Sequence, residues 1–199
     1  EDDILPHPSF FYFCQQLLVK FKNDSRIGII SGNNFTNISD PKFSYLFSKY
    51  SQTWGWATWR RVWQDYDVNI ADWPKQKFFK HYNFYWRLIF NAVFSKELAT
   101  VWDYQLTYLS WQKHYLTIIP NTNLAQNIGF GKNATHTKTK SRFFNYPTPG
   151  IAFPLLHPKN IASNSKLDHF IQSHHYVLWK EILMSLYRHW RFVYRKIFS

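Results

Sequence analysis

Apolar and polar positions along this chain fall into blocks whose period switches between helical and strand-like. Phe10, Cys14, Leu17 and Phe21, joined by Phe11, Phe13 and Leu18, recur every three to four residues and predict an amphipathic helix over about 9–22. Pro6 and Pro8 precede it, and Ser9 is the expected N-cap. Asn23-Asp24-Ser25 turns the chain, and Arg26-Ile27-Gly28-Ile29-Ile30 reads as a short buried strand running into the polar loop Ser31-Gly32-Asn33-Asn34. A further strand is expected over 45–50, and a helix from the Trp54–Trp63 segment to about Tyr66.

Residues 75–95 carry Phe78, Phe79, Tyr82, Trp86, Ile89, Phe90 and Val93 at helical spacing. Val101 to Gln105 opens a helix to about His114, followed by a strand over Tyr115–Ile119 that Pro120 ends. A glycine-punctuated loop spans Asn127 to Thr137, and 138–150, with three basic residues, two prolines and no acid, is expected to be mobile. Leu167, Ile171, Leu178, Ile182, Leu186, Trp190 and Val193 mark one side of a basic helix over about 166–198. No internal repeat is visible, and strands alternating with helices imply an α/β fold.

The length, 199 residues, suits one domain, and 45% hydrophobic residues can form a core, which excludes disorder through low hydropathy. Aromatics reach 21% while glycines number only 6, and neither GxxxxGK[ST] nor GxGxxG occurs, so glycine-loop nucleotide binders are disfavoured. The single cysteine, Cys14, cannot close an intrachain disulfide, which points to a reducing, cytoplasmic compartment. Sequons at Asn23, Asn34, Asn37 and Asn133 are taken as chance matches, and no zinc-type Cys/His spacing occurs. No apolar run approaches the ~18 residues of a membrane span. The net charge of +12 favours anionic partners: nucleic acid, phospholipid headgroups or phosphate-bearing substrates.

Chemistry enters with Glu1-Asp2-Asp3. Mg²⁺ and Mn²⁺ take oxygen ligands from one or two carboxylates plus substrate phosphates. An acidic triplet at a strand end can hold such a complex, although on its own it reads more readily as a solvated terminus. Asp103, at the start of a helix, is equally a first-turn acid or a carboxylate kept ionised for proton transfer.

The order of motifs decides between these readings. Glu1-Asp2-Asp3, Pro8 to Phe11, Ile30 to Asn33, Trp54 to Arg60, Trp102 to Gln105 and Asn127 to Thr137 follow one another. In this succession the chain resembles GT-A-type glycosyltransferases, in particular bacterial family-2-like nucleotide-diphospho-sugar transferases, over about residues 1–157. It also parallels eukaryotic transferases that add N-acetylglucosamine to mannose.

The resemblance implies the C-terminal half of a GT-A fold, a mixed sheet flanked by helices. Residues 1–157 would form its acceptor- and metal-binding half and 158–199 a basic amphipathic helical extension. Because the chain begins at Glu1, the Rossmann-like N-terminal half is expected to be missing, leaving a fragment with poor stability and little activity alone.

The same resemblance implies that Asp3 binds Mn²⁺ or Mg²⁺ bridging the donor diphosphate, with His136 as a further metal ligand. Glu1 and Asp2 would contact the ribose or order water around the metal, and Ser31, Gly32 and Asn33 would contact donor or acceptor. Asp103 would be the general base of an inverting transfer. Trp54, Trp56 and Trp102, with Gly55 between the first two, would meet sugar or acceptor, although core packing also claims tryptophans. Lys132, Lys138, Lys140 and Arg142 could fold over the diphosphate, with a solvated basic loop as the plainer reading.

The implied partners are a nucleotide-sugar donor and a glycan or lipid-linked acceptor in bacterial surface-glycan assembly. The terminal helix either packs with a solvated basic face or rests on the inner face of the cytoplasmic membrane. A nucleic-acid-binding module is the alternative from another class. Dispersed basic residues, no RNP or helix-turn-helix signature, and aromatics at core spacing weigh against it.

Overall fold

The computed structural model describes residues 3–36, 38–76, 84–98, 101–129 and 146–176, together with 182–184, 186, 187, 190 and 194. It is a mixed α/β structure. Strands β2 (Ile27–Ser31), β3 (Tyr45–Ser48), β4 (Trp56–Thr58) and β5 (Leu116–Pro120) form one sheet in the order β3-β5-β2-β4. β2 and β5 run parallel, whereas β3 pairs antiparallel with β5 and β4 antiparallel with β2. A separate antiparallel ribbon joins β1 (Ile4–Pro6) to β6 (Ala125–Asn127).

Helices cover both faces of the sheet. On one side α1 (Pro8–Lys20) brings Phe10, Phe13, Cys14 and Leu17 against Ile27, Ile30, Tyr45, Phe47 and Ile118. On the other, α3 (Phe84–Phe94), α4 (Asp103–Gln112) and α5 (Ser165–His174) pack with Leu46 and Ile119 around Trp86 and Trp111. Ile29 faces Leu106 and Leu109 of α4, opposite in sense to Ile27 and Ile30. A register shift between Ile27 and Ile29 permits this, and it falls at Gly28, where a Cβ would lie 2.7 Å from the Cβ of Tyr115.

Several expectations are corrected. His7, not Ser9, caps α1: its Nδ1 accepts from the Ser9 amide at 3.1 Å, and Pro8 takes the first helical position, where its missing N–H costs nothing. The expected helix through Trp54–Tyr66 is instead strand β4 followed by one turn, α2 (Arg60–Trp63), because the alternating Trp56-Ala57-Thr58 completes the edge of β2. Pro120 closes β5 from within, pairing with Tyr45 rather than lying beyond the strand. Asn127, expected to open a loop, instead ends a strand, Ala125–Asn127. Of the helix expected over 75–95, Trp73–Lys75 is a 3-10 turn and the α-helix spans Phe84–Phe94, with 77–83 outside the described residues.

The stretch 138–150 is described only from 146. There Tyr146 packs on Phe35 with ring centroids 5.3 Å apart, and the Thr122 hydroxyl donates to the Gly150 carbonyl at 2.8 Å. Within 158–199, α5 places Leu167 and Ile171 in the core and buries Asp168. The helix expected over 166–198 is interrupted at His175 and Tyr176. Among the described residues no helix is long and apolar enough to cross a membrane.

Candidate functional site

The sequence motifs meet where β2 ends. Ser31 is the last residue of that strand and pairs with Trp56 across the ladder. The chain then bends sharply, so that the Ser31 hydroxyl donates to Asn33 Oδ1 at 2.9 Å and accepts from the Asn33 amide at 3.1 Å. Gly32 gives its amide to the Gly55 carbonyl at 2.6 Å and accepts at its own carbonyl from Leu124 at 2.7 Å. Both glycines are required by this close approach. A Cβ on Gly32 would lie 2.8 Å from the Phe10 ring, and Gly55 has φ +64° with Ala125 Cβ 2.9 Å from where its own would stand.

Gly55 also links the two sheets. Its α-carbon faces Ile4, whose Cγ2 lies 3.5 Å from the position of an added Cβ, and Ile4 adjoins Asp3. The ribbon holds Asp3 through the Ile128 amide, which donates to the Asp3 carbonyl at 2.8 Å. The Asp3 carboxylate accepts from the Asn127 side-chain Nδ2 at 3.4 Å and lies directly against Gly129, where a Cβ would come within 2.5 Å of Oδ2.

A second group of residues comes from α4. Trp102 precedes the helix and stacks on Trp56, with ring centroids 5.3 Å apart and planes inclined by 26°. Its carbonyl accepts from the Tyr66 hydroxyl at 3.1 Å. Asp103 follows as the first helical residue, half-buried, and its carbonyl accepts from Thr107 Oγ1, which in turn bonds the Ser51 hydroxyl. The positive end of α4 favours a charged carboxylate there.

The electrostatics place two tyrosines near Asp103. Burial raises the hydroxyl of Tyr66 above the usual phenol range, and the negative charge of Asp103 adds to the rise. Tyr176, just after α5, is shifted upward by the same two causes, burial first. Gln52 Oε1 accepts from Asn33 Nδ2 at 3.0 Å, which extends the Ser31–Asn33 pair to Gln52. Gln52, Tyr66 and Tyr176 were not singled out from sequence. Tyr176 in particular lies in a stretch that reads only as helix, and its approach depends on α5 packing across the sheet.

Of the other expected residues, Trp54 packs on Phe35 at 4.9 Å, and its amide donates to Asn33 Oδ1 at 3.2 Å. Trp54 and Trp56 are half-buried, Trp54 against Phe35 and Trp56 against Trp63 and Trp102. Trp59 turns away, donating its indole N–H to Leu18 on α1 at 3.1 Å. Glu1, Asp2, His136, Lys132, Lys138, Lys140 and Arg142 lie outside the described residues.

Of the expected metal ligands, Asp3 alone lies among the described residues. No group of three His, Cys, Asp or Glu gathers as a metal cage among the described residues. One carboxylate beside phosphate oxygens is nevertheless a set that Mg²⁺ and Mn²⁺ accept, and the missing side chain at Gly129 keeps the flank of Asp3 from being filled. No family model matches the chain, and no curated protein matches it in sequence.

Proposed function

We propose that the chain is the metal- and acceptor-binding half of a GT-A glycosyltransferase that moves a sugar from a nucleotide-diphospho-sugar to a glycan or lipid-linked hydroxyl. The observation that carries this reading is the convergence at the end of β2. Asp3 with Ile4, Ser31 to Asn33, Gly55 with Trp56, and Trp102 with Asp103 come from four separate stretches of chain yet meet through direct contacts.

In this reading Asp3 is the described ligand of the cation, and His136, Glu1 and Asp2 belong to the same donor site. When bound, the cation offsets the charge that gathers on the departing nucleoside diphosphate. Ser31, Gly32 and Asn33 line the loop between donor and acceptor, and the half-buried Trp54 and Trp56 meet the sugar or acceptor. Asp103 takes the proton of the acceptor hydroxyl as that oxygen bonds to the anomeric carbon. The carbon–oxygen bond to the diphosphate breaks on the opposite face, which inverts the configuration.

The test measures turnover of nucleotide sugars. Manganese-dependent release of nucleoside diphosphate from a panel of nucleotide sugars is expected. Asp103→Asn abolishes transfer and spares nucleotide binding, whereas Asp3→Asn weakens both. A fully active Asp103→Asn protein would overturn the base assignment, and metal-independent turnover would overturn the role of Asp3.

A further inference from the structure

A cavity opens at the carboxyl ends of the parallel pair β2 and β5. It measures about 460 Å³, within the roughly 300–1,000 Å³ of small-molecule sites. Asn34, Thr36 and Ser39 line it from the chain that follows β2, and Asn121, Thr122 and Asn123 from the chain that follows β5. Tyr146, Pro147 and Pro149 complete the lining. In open α/β sheets the crevice outside the carboxyl ends of the strands is the usual place for a ligand.

The walls are held from behind. Asn34 donates both hydrogens of its side-chain amide, to the Pro120 carbonyl at 2.8 Å and the Ile38 carbonyl at 3.4 Å. Asn121 does the same toward the carbonyls of Asp40 and Phe43. These two side chains tie the loops in place and have no donor left for a ligand. Asn123 differs. Its Oδ1 accepts from the Asn34 amide at 3.1 Å and its Nδ2 donates to the Ala125 carbonyl at 2.9 Å, so among the described residues it keeps one hydrogen and one lone pair. The Thr122 hydroxyl, donating to Gly150, still accepts, and Ser39 is exposed at the cavity.

Charge decides what the cavity takes. The chain carries 24 Lys and Arg, yet among the described residues no Lys, Arg, His, Asp or Glu lines this cavity. A phosphate or carboxylate would enter without a counter-charge, and a cation without a carboxylate. Neutral amides and hydroxyls beside the ring of Tyr146 and two prolines suit a ligand that is uncharged, rich in hydroxyls and apolar across one face. A sugar ring has all three properties. None of Asp3, Trp56, Trp102 and Asp103 lines the cavity, and Phe35 stands between Tyr146 and Trp54, meeting their rings at 5.3 Å and 4.9 Å.

We propose that this cavity is a binding site for a neutral saccharide, whose hydroxyls bond Asn123, Thr122 and Ser39 and whose apolar face rests on Tyr146. The proposal stands on the cavity alone and does not depend on the transfer chemistry.

Saturation-transfer difference NMR of the protein with the methyl glycosides of glucose, galactose, mannose and N-acetylglucosamine tests it, with glucose 1-phosphate and uridine as the charged and planar comparisons. Signal is expected from at least one methyl glycoside. Ser39→Trp places an indole at the cavity and should abolish that signal; because Ser39 is exposed, this variant should melt like the parent. Tyr146→Ala removes the ring and should weaken binding about tenfold. No signal from any of the four glycosides, unchanged binding to Ser39→Trp or to Tyr146→Ala, or tighter binding of glucose 1-phosphate or uridine than of every glycoside would each overturn it.

Discussion

Trp56 and Trp102 stack across the boundary between the sheet edge and the start of α4, and this contact sets where Asp103 sits relative to Ser31. Trp56 is fixed by its pairing with Ser31, and Trp63 closes on it from α2 at 5.8 Å. Trp102 has no side-chain cap to offer α4; it holds the helix start by ring contact and by the bond from Tyr66 to its carbonyl. Packing, rather than capping, therefore positions the proposed base.

Trp102→Ala should accordingly act on turnover more than on binding. Loss of the stack removes about 0.5–1.5 kcal/mol beyond the area term. A base displaced by about 1 Å lowers kcat by about a hundredfold while the donor KM stays near the parent value. Trp102→Phe keeps an aromatic face and should recover most of the rate. Steady-state kinetics of the two variants distinguish positioning from collapse, since a purely structural role would lower active enzyme without separating Ala from Phe.

The two glycines near Asp3 should respond differently to alanine. Gly55→Ala forces a side chain into φ +64° and against Ala125, at a cost of about 1–3 kcal/mol, visible as a lower melting temperature. Gly129→Ala meets Asp3 instead, at its Cβ (2.7 Å) as well as at its carboxylate (2.5 Å), so Mn²⁺ affinity should fall along with the melting temperature. Calorimetric titration of Mn²⁺ with nucleoside diphosphate, beside thermal melts, checks both. Equal Mn²⁺ affinity for Gly129→Ala and parent would remove Asp3 from the cation site.

Much of this arrangement is legible in sequence because helical and strand periods are carried by large aromatic and branched residues. Phe10, Phe13, Cys14 and Leu17, and Ile27 to Ile30, are buried in the elements expected of them, whereas Phe11 is exposed. Strand β4 was hidden because Trp56-Ala57-Thr58 is only three residues long and directly precedes a helical turn, so its period cannot be told from the helix beside it. The contact of Gly55 with Ala125 and Ile4, and the bond from Asn33 to Gln52, depend on tertiary packing between distant stretches. Local pattern carries no information about them.

Asp168 supplies a pH-dependent link between α5 and β3. Burial raises its carboxyl above the ordinary 3.8, opposed by bonds from the Ser48 hydroxyl at 2.7 Å and the Lys49 amide at 3.2 Å. A raised native value means that the folded chain holds this proton more tightly than the unfolded chain does. The Asp168 contribution is therefore most favourable below the unfolded value and declines as pH rises through the native one. Asp168→Asn keeps an acceptor for Ser48 and Lys49 but cannot ionise, so urea-unfolding free energies measured from about pH 4 to 7 should lose that decline. Asp168→Ala leaves both donors without this acceptor and should cost about 1–3 kcal/mol at every pH. A parent and an Asn variant with parallel pH profiles would contradict the sign.

Cys14 offers a direct probe of the α1 face. The thiol is buried among Phe10, Phe13 and Leu17, and burial pushes it from 9.0 up to about 12. Only the thiolate attacks an alkylating agent, so at pH 8 the reactive fraction is about a thousandfold below that of an ordinary cysteine, before any barrier to access. Iodoacetamide should therefore leave the folded chain essentially unlabelled, and urea should raise the labelling rate by at least about a thousandfold, in step with the loss of secondary structure. Cys14→Ser exchanges the thiol for a hydroxyl that prefers water and should cost about 1–3 kcal/mol, more than a weakly perturbed surface position would show. Rapid labelling without denaturant would mean that α1 does not close over β2 and β3, and the Phe10 contact that helps shape the Gly32–Gly55 crossing would be lost with it.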